Sequence, residues 1–203
     1  TGKSALVLRR AAAPVAGVLH RYAVPMHMHV LETAYQKEYA RRRTGTTAVR
    51  HLFNLGLLGP HMTYGHGVWM NEEDIDLTAE TGTAVCHNAS SNLRLRSGVM
   101  PLNELMRRGI RVGIGLDEAG INDDRDMLQE LKLVLRLHRT PGVADVVPSP
   151  AYVLRMATEY GASTTGYGDV TGMLAPGRAA DMVLLSWTHI AFPYLDEDTP
   201  VVD

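Results

Sequence analysis

From residue 24 onward, short apolar runs alternate with longer amphipathic stretches, and this alternation is the strongest constraint on the fold. The apolar runs are AVPMHMHV (23–30), HMTYGHGVWM (61–70), TAVCHNA (83–89) and IRVGIGLD (110–117). Such runs are typical of strands that are buried on both faces, which occur in parallel sheets with helical crossovers. The alternation therefore predicts four consecutive strand–helix units of a parallel α/β protein.

The stretches between and after these strands carry helix signals. Asn71 can cap the helix that follows it, and Gly45, Gly82 and Gly109 are placed to end helices. Apolar residues at helical spacing mark one face of the stretch that ends at Pro141-Gly142. Helices are predicted over residues 31–45, about 46–58, 72–82, 101–109, 123–142 and near 152–160.

Consecutive strand–helix units occur both in a segment of a barrel and in a doubly wound sheet. The run GIGLD (113–117) lacks the Gly-x-Gly-x-x-Gly spacing of a dinucleotide site, and this favours the barrel. After residue 168, glycines and a Pro-Gly turn separate short β-prone pieces. The change predicts two domains, over residues 1–168 and 169–203.

Composition limits the partners and the compartment. The chain is 45% hydrophobic and 21% charged with a net charge of -2, which suits a globular protein and offers no basic face for nucleic acid. No apolar run approaches the roughly 20 residues that span a bilayer. With Cys86 as the single cysteine, an internal disulfide is excluded. We expect a cytoplasmic protein without nucleic-acid or membrane partners.

Polar side chains recur where successive predicted strands end: His29 and Glu32, then His66, His87 and Asp117. Parallel barrels build their active sites at the carboxyl ends of the strands. Imidazole and carboxylate groups are ligands for zinc, so His29 and Asp117 could supply two ligands from separate strands. The recurrence at four strand ends favours a functional site over isolated structural roles.

Each position also has a structural alternative. His27 lies two residues before His29 on the same strand face, and we interpret it as a core histidine with a pocket role at most. His87 is as well suited to holding the following loop as to contacting substrate. Glu32 and Asp117 could instead stabilise a helix start or a turn. The remaining histidines are predicted to be non-catalytic: His20, His51, His61, His138 and His189.

Five segments in order resemble the amidohydrolase superfamily, in particular its cytosine, guanine and adenosine-type deaminases and triazine hydrolases. They are HVLET (29–33), GHGVWM (65–70), CHNASSNLRLRSG (86–98), GIGLDEAGINDDRDMLQEL (113–131) and GMLAPGRAADMVLL (172–185). The resemblance implies the C-terminal half of a (β/α)8 TIM-type barrel, followed by part of a small β-sandwich domain.

The resemblance also implies roles for the strand-end residues. His29 corresponds to a metal ligand, and Glu32 to the residue that hydrogen-bonds substrate and moves protons. His66 corresponds to a catalytic residue that polarises the attacked group in mononuclear members and is a ligand in binuclear ones. Asp117 corresponds to a metal ligand that accepts the proton of the attacking water. One divalent metal is expected, with zinc preferred and iron as the alternative.

Further positions are predicted to contact substrate. Ser91 and Asn92 correspond to loop residues near the substrate, and His87 lies in the same segment. Glu118 follows Asp117 where small or amide residues are common, and it could favour a substrate with ring N–H donors. A solvated carboxylate is an equal alternative for Glu118.

One family feature is missing: no His-x-His pair, the source of two further ligands, lies upstream of residue 24. A full barrel takes about 250 residues. We therefore expect this chain of 203 residues to be part of a longer enzyme, and its catalytic activity in isolation is doubtful. Open strand edges then favour self-association, with a homo-oligomer as one outcome. The predicted function is metal-dependent deamination of a purine, pyrimidine, pterin or triazine-like heterocycle. The alternatives are chloride or cyclic amide hydrolysis, or a non-catalytic half barrel.

Overall fold

Four parallel strands form the sheet at the centre of the computed structural model, which describes residues 14–18, 21–22, 24–118, 125–142 and 146–193. The strands pair in chain order, each with its sequence neighbour. This confirms the predicted parallel α/β arrangement. The strands are β1 (Met26–Val30), β2 (Met62–His66), β3 (Ala84–His87) and β4 (Val112–Ile114).

Helices follow every strand, as the sequence predicts. They are α1 (Ala34–Thr44), α2 (Ala48–Asn54), α3 (Glu72–Thr81), α4 (Ala89–Arg94), α5 (Leu102–Arg107), α6 (Met127–Leu137), α7 (Pro150–Ala157), α8 (Glu159–Thr164) and α9 (Trp187–Ala191). Three details differ from prediction. Helix α4 lies where a loop was expected, and α9 lies in the tail that was expected to be β-prone. Two helices, α7 and α8, replace the single helix expected near 152–160. The backbone of Thr158 leaves the helical region (φ -119°, ψ -90°), and this divides α7 from α8.

The main core lies between the sheet and its helices. Tyr64 and Val85 from the strands are fully buried, as are Leu105 and Val134 from α5 and α6. Full burial of each aliphatic side chain stabilises the fold by about 1.5–3 kcal/mol. This packing holds in place the strands whose carboxyl ends carry the predicted site residues.

Residues after α8 do not form strands within the described part of 169–193. Residues 181–186 belong to neither a helix nor a strand, and Val183 and Leu184 are largely exposed. The boundary at 168 and the β-sandwich assignment remain predictions. Across the described ranges, no helix is both long enough and apolar enough to cross a membrane.

Asn71 begins α3 with a reciprocal cap, as the sequence predicts. Its Oδ1 accepts from the amide of Asp74 at 2.8 Å, and Oδ2 of Asp74 accepts from the amide of Asn71 at 3.2 Å. We expect Asn71→Ala to lower the free energy of unfolding by about 1 kcal/mol, because the helix start loses an acceptor. Urea unfolding measures the change. Asn54→Ala, at an exposed position on α2, is the control, and an equal loss there would contradict the capping role.

Candidate active site

His29, Glu32, His66 and Asp117 converge at the carboxyl edge of the sheet, as predicted. Nε2 of His66 lies 3.9 Å from a carboxylate oxygen of Glu32 and 3.9 Å from one of Asp117. Nε2 of His29 lies 4.0 Å from the other oxygen of Asp117. The rings of His29 and His66 meet edge to face, with centroids 4.9 Å apart. Three strands and their following loops therefore supply one cluster.

The backbone at His66 decides where its ring points. In the register, His29 lies beside Gly65, while His66 lies beside Val30 on the alternate row. Regular alternation would place His66 on the opposite face from His29. His66 instead has a positive φ of 77°, and its ring lies against that of His29. The bend at the end of β2 thus brings the imidazole into the site.

Two further non-glycine residues at this edge have positive φ. Leu31, between His29 and Glu32, has φ 54°, and Asp117 has φ 66°. Such conformations cost about 1–3 kcal/mol each and concentrate at functional sites, where the surrounding structure maintains them. Three of them at one sheet edge support a functional cluster, and the sequence contained no signal for this strain.

The side chain of His66 presents an unpaired nitrogen to the cluster. Its Nδ1 lies 2.8 Å from Oδ1 of Asn92, and because an amide oxygen only accepts, this contact is a hydrogen bond when Nδ1 carries the proton. Nε2 is buried and has no hydrogen-bond partner among the described residues. With the proton on Nδ1, the lone pair of Nε2 points toward the carboxylates of Glu32 and Asp117. The Nε2 lone pair and the two carboxylates are all hydrogen-bond acceptors, so a cation between them would stabilise this arrangement.

The donor set fits a divalent metal. His29, Glu32 and His66 each offer a ligand atom, and these atoms lie within 4.8 Å of one another. Two ligands of one zinc ion can be no more than about 4.2 Å apart, given bonds of about 2.1 Å. The 4.0 Å separation between His29 and Asp117 and the 3.9 Å separation between His66 and Glu32 satisfy this limit, whereas 4.8 Å exceeds it. Nitrogen and oxygen ligands suit zinc, and they also suit iron.

Both carboxylates are held by neighbouring side chains. The hydroxyl of Ser91 donates to Oδ2 of Asp117 at 2.7 Å. The hydroxyl of Ser97 lies 3.4 Å from Oε1 of Glu32, a longer contact. Ser97 had no predicted role, although it lies inside the segment 86–98. These contacts limit the rotation of the two carboxylates.

Ser91 and Asn92 lie beneath the cluster on α4, and their side chains are buried. Their polar atoms contact Asp117 and His66. Direct substrate contact by either residue stays a prediction.

His87 lies outside the cluster. The register aligns Cys86 with Gly65 in the row of His29, so His87 belongs to the alternate row and faces the helices. Its buried Nε2 meets Nε2 of His138, at the end of α6, at 2.9 Å. Burial, with His138 and His66 as smaller influences, lowers the pKa of His87 to about 3, and burial lowers that of His138 to about 4. This burial favours the structural alternative, and substrate contact by His87 stays a prediction.

Three other positions complete the surroundings. His27 is exposed, so the expected core position is wrong: it shares the open sheet face with His29, and the helices pack on the other face. Burial raises the pKa of the Cys86 thiol to about 12, aided by Asp117 and Glu130, so this thiol stays protonated. Glu118 is exposed beside Asp117, and its contact with substrate stays a prediction.

The family profile described as "Amidohydrolase family" matches residues 8–201, almost the whole chain. The chain belongs to the amidohydrolase family. This confirms the resemblance noted from the five sequence segments.

Individual amidohydrolases show the same relationship. A 5-methylthioadenosine/S-adenosylhomocysteine deaminase from Syntrophobacter fumaroxidans is 36% identical over 167 residues, covering 82% of this chain and 38% of the relative. A zinc-bound adenosine deaminase structure from Xanthomonas campestris superposes with a TM-score of 0.80 at 31% identity, covering 85% and 39%. Atrazine chlorohydrolase from Arthrobacter aurescens, complexed with zinc, gives 0.79 at 30% identity, covering 85% and 38%. The chain thus spans about two fifths of the length of these relatives.

Proposed function

We propose that this chain is the C-terminal half of the barrel of a metal-dependent hydrolase that deaminates a nitrogen heterocycle. The convergence of His29, Glu32, His66 and Asp117 at one sheet edge carries the proposal. The deaminase and triazine hydrolase relatives support a purine, pyrimidine, pterin or triazine-like ring as substrate. Further parts of the proposal are a β-sandwich that includes residues 169–203, and a cytoplasmic location that suits the single cysteine.

In this proposal, His29 and Asp117 hold one divalent metal, with zinc preferred because zinc is bound in two related structures. When bound, the metal supplies Lewis-acid chemistry that lowers the pKa of water to about 7. Two ligands are fewer than a catalytic zinc site needs. We therefore propose that the remaining ligands come from outside this chain.

The carboxylates move the protons. Asp117 accepts the proton of the attacking water, and Glu32 hydrogen-bonds a ring nitrogen and passes a proton to the leaving nitrogen. Their side chains are 15% and 16% exposed, so both can reach a substrate while remaining partly shielded from water. Each positioned proton transfer contributes typically about 10²- to 10⁴-fold. His66, between the carboxylates, polarises the attacked group once its Nε2 has taken up a proton, because only a protonated Nε2 can donate to the substrate.

Loss of a different leaving group is the second candidate. The related atrazine chlorohydrolase has a name that refers to chloride rather than ammonia. The same residues would serve chloride loss, since attack on the ring carbon is common to both reactions. Release of ammonia or chloride from a panel of amino- and chloro-substituted heterocycles separates the two.

Metal content tests the site directly. We expect near-stoichiometric zinc or iron in the complete protein that carries this sequence, and loss of most of it in His29→Ala, because one imidazole ligand is removed. Elemental analysis of purified, folded protein provides the measurement. His189→Ala, at an exposed histidine on α9, is the matched control and should retain the metal.

Two outcomes would change the conclusion. If the complete protein binds metal but the 203-residue chain does not, the chain alone is a non-catalytic half barrel. If the complete protein binds no metal after incubation with zinc, the proposed function is wrong.

A further inference from the structure

We infer that Asn92 and Ser91 are positioning residues: adjacent on α4, they fix the imidazole of His66 and the carboxylate of Asp117. This inference rests on the proposed function only for the roles of His66 and Asp117. The side chains that make these contacts come from a short helix that no helix signal in the sequence predicted.

Asn92 determines which nitrogen of His66 carries the proton. Its Oδ1 lies 2.8 Å from Nδ1, and both residues are buried, so water does not compete for this contact. The oxygen holds the proton on Nδ1 and leaves Nε2 with its lone pair toward Glu32 and Asp117. If the proton moved to Nε2, Nδ1 would face the amide oxygen as a second acceptor, an arrangement costing a buried hydrogen bond.

Ser91 makes the two oxygens of Asp117 different. Its hydroxyl donates to Oδ2 at 2.7 Å, the same oxygen that lies 3.9 Å from Nε2 of His66. Oδ1 lies 4.0 Å from Nε2 of His29 and faces the proposed metal ligand. One oxygen is therefore held beside His66 while the other is directed to His29.

The position of α4 is itself fixed from a distant part of the chain. The amide of Ser90 donates to Oε1 of Glu130 at 3.0 Å, and the side chain of Glu130 is buried on α6. A carboxylate at the start of a helix satisfies an amide that has no partner within the helix. With α4 anchored, Ser91 and Asn92 are 0% and 1% exposed, which leaves no surface on them for substrate.

Nitrogen chemical shifts of the histidine ring test the role of Asn92 without any activity. We expect metal-free ¹⁵N-histidine-labelled protein at about pH 8, where free imidazoles are neutral, to show His66 with its proton on Nδ1. The signal is assigned by its loss in His66→Gln. Asn92→Leu should shift the population to the Nε2–H form, and Asn92→Asp, which keeps an oxygen acceptor, should restore Nδ1–H.

Ser90→Ala is the matched control for both residues. Its hydroxyl is buried on the same helix and has no hydrogen-bond partner among the described residues. It should leave the His66 signals unchanged. An Nε2–H form in wild type, or an unchanged tautomer in a folded Asn92→Leu protein, would overturn the assignment. If Asn92→Leu does not fold, wild type and Asn92→Asp still decide, because a His66 ring protonated on Nε2 alone in either one excludes the proposed contact.

Kinetics of the complete protein test Ser91. Loss of a hydrogen bond to a carboxylate predicts a fall in kcat of about 10- to 100-fold in Ser91→Ala. KM should change by less than about twofold, because a positioning residue does not bind substrate. A raised KM with unchanged kcat would instead support substrate binding. If the complete protein is inactive, the proposed function is wrong. The tautomer of His66 then decides whether Asn92 is a positioning residue.

Discussion

Replacing Asp117 by Asn should lower kcat for heterocycle hydrolysis in the complete protein by about 10²- to 10⁴-fold. The amide has nearly the shape of the carboxylate but cannot accept the proton of the attacking water. It also removes a negative charge from a proposed metal ligand, so metal content should fall as well. Ammonia release at saturating substrate, after incubation with excess zinc, measures the effect on kcat.

Asp76→Asn is the matched control for Asp117→Asn. Asp76 is an exposed carboxylate on α3 that pairs with Arg108 at 2.6 Å. Exposed ion pairs stabilise proteins by roughly 0–1 kcal/mol, so the substitution should leave the reaction unchanged. If Asp117→Asn retained wild-type kcat with full metal content, Asp117 would not be the proton acceptor.

Acid should destabilise the fold through the buried pair of His87 and His138. Burial lowers their pKa values to about 3 and about 4, from 6.5, so the folded state binds protons more weakly than the unfolded state. This contribution to stability is complete above pH 6.5 and is lost as pH falls toward the folded pKa values. A shift of this size in His138 alone corresponds to roughly 3 kcal/mol.

Urea unfolding from about pH 7 to about pH 4.5 measures the loss. His138→Gln should reduce the slope of stability against pH, because Gln offers a neutral donor to Nε2 of His87 and does not titrate. His189→Gln, at an exposed position, should leave the slope unchanged. Equal slopes in wild type and His138→Gln would show that His138 does not contribute to the pH dependence of stability.

The sequence by itself determined the order and type of most elements. Apolar runs and helix-ending glycines report the local backbone period, and Gly45 and Gly82 do adopt left-handed conformations at the ends of α1 and α3. The sequence also placed His29 and Asp117 at strand ends, because parallel strands bring their carboxyl ends to one edge. Local pattern was sufficient for these conclusions.

Only the tertiary structure decided where the individual side chains point. His66 and His87 are both the last residues of strands, and both lie on the row that alternates with His29. The positive φ of His66 turns its ring into the site, whereas His87 contacts His138 on the side of the sheet that the helices cover. Likewise, Asn92 reaches His66 because Glu130, 40 positions from Ser90 along the chain, anchors α4. Such orientations depend on contacts between distant segments, and a local sequence pattern carries no information about the partner that makes them.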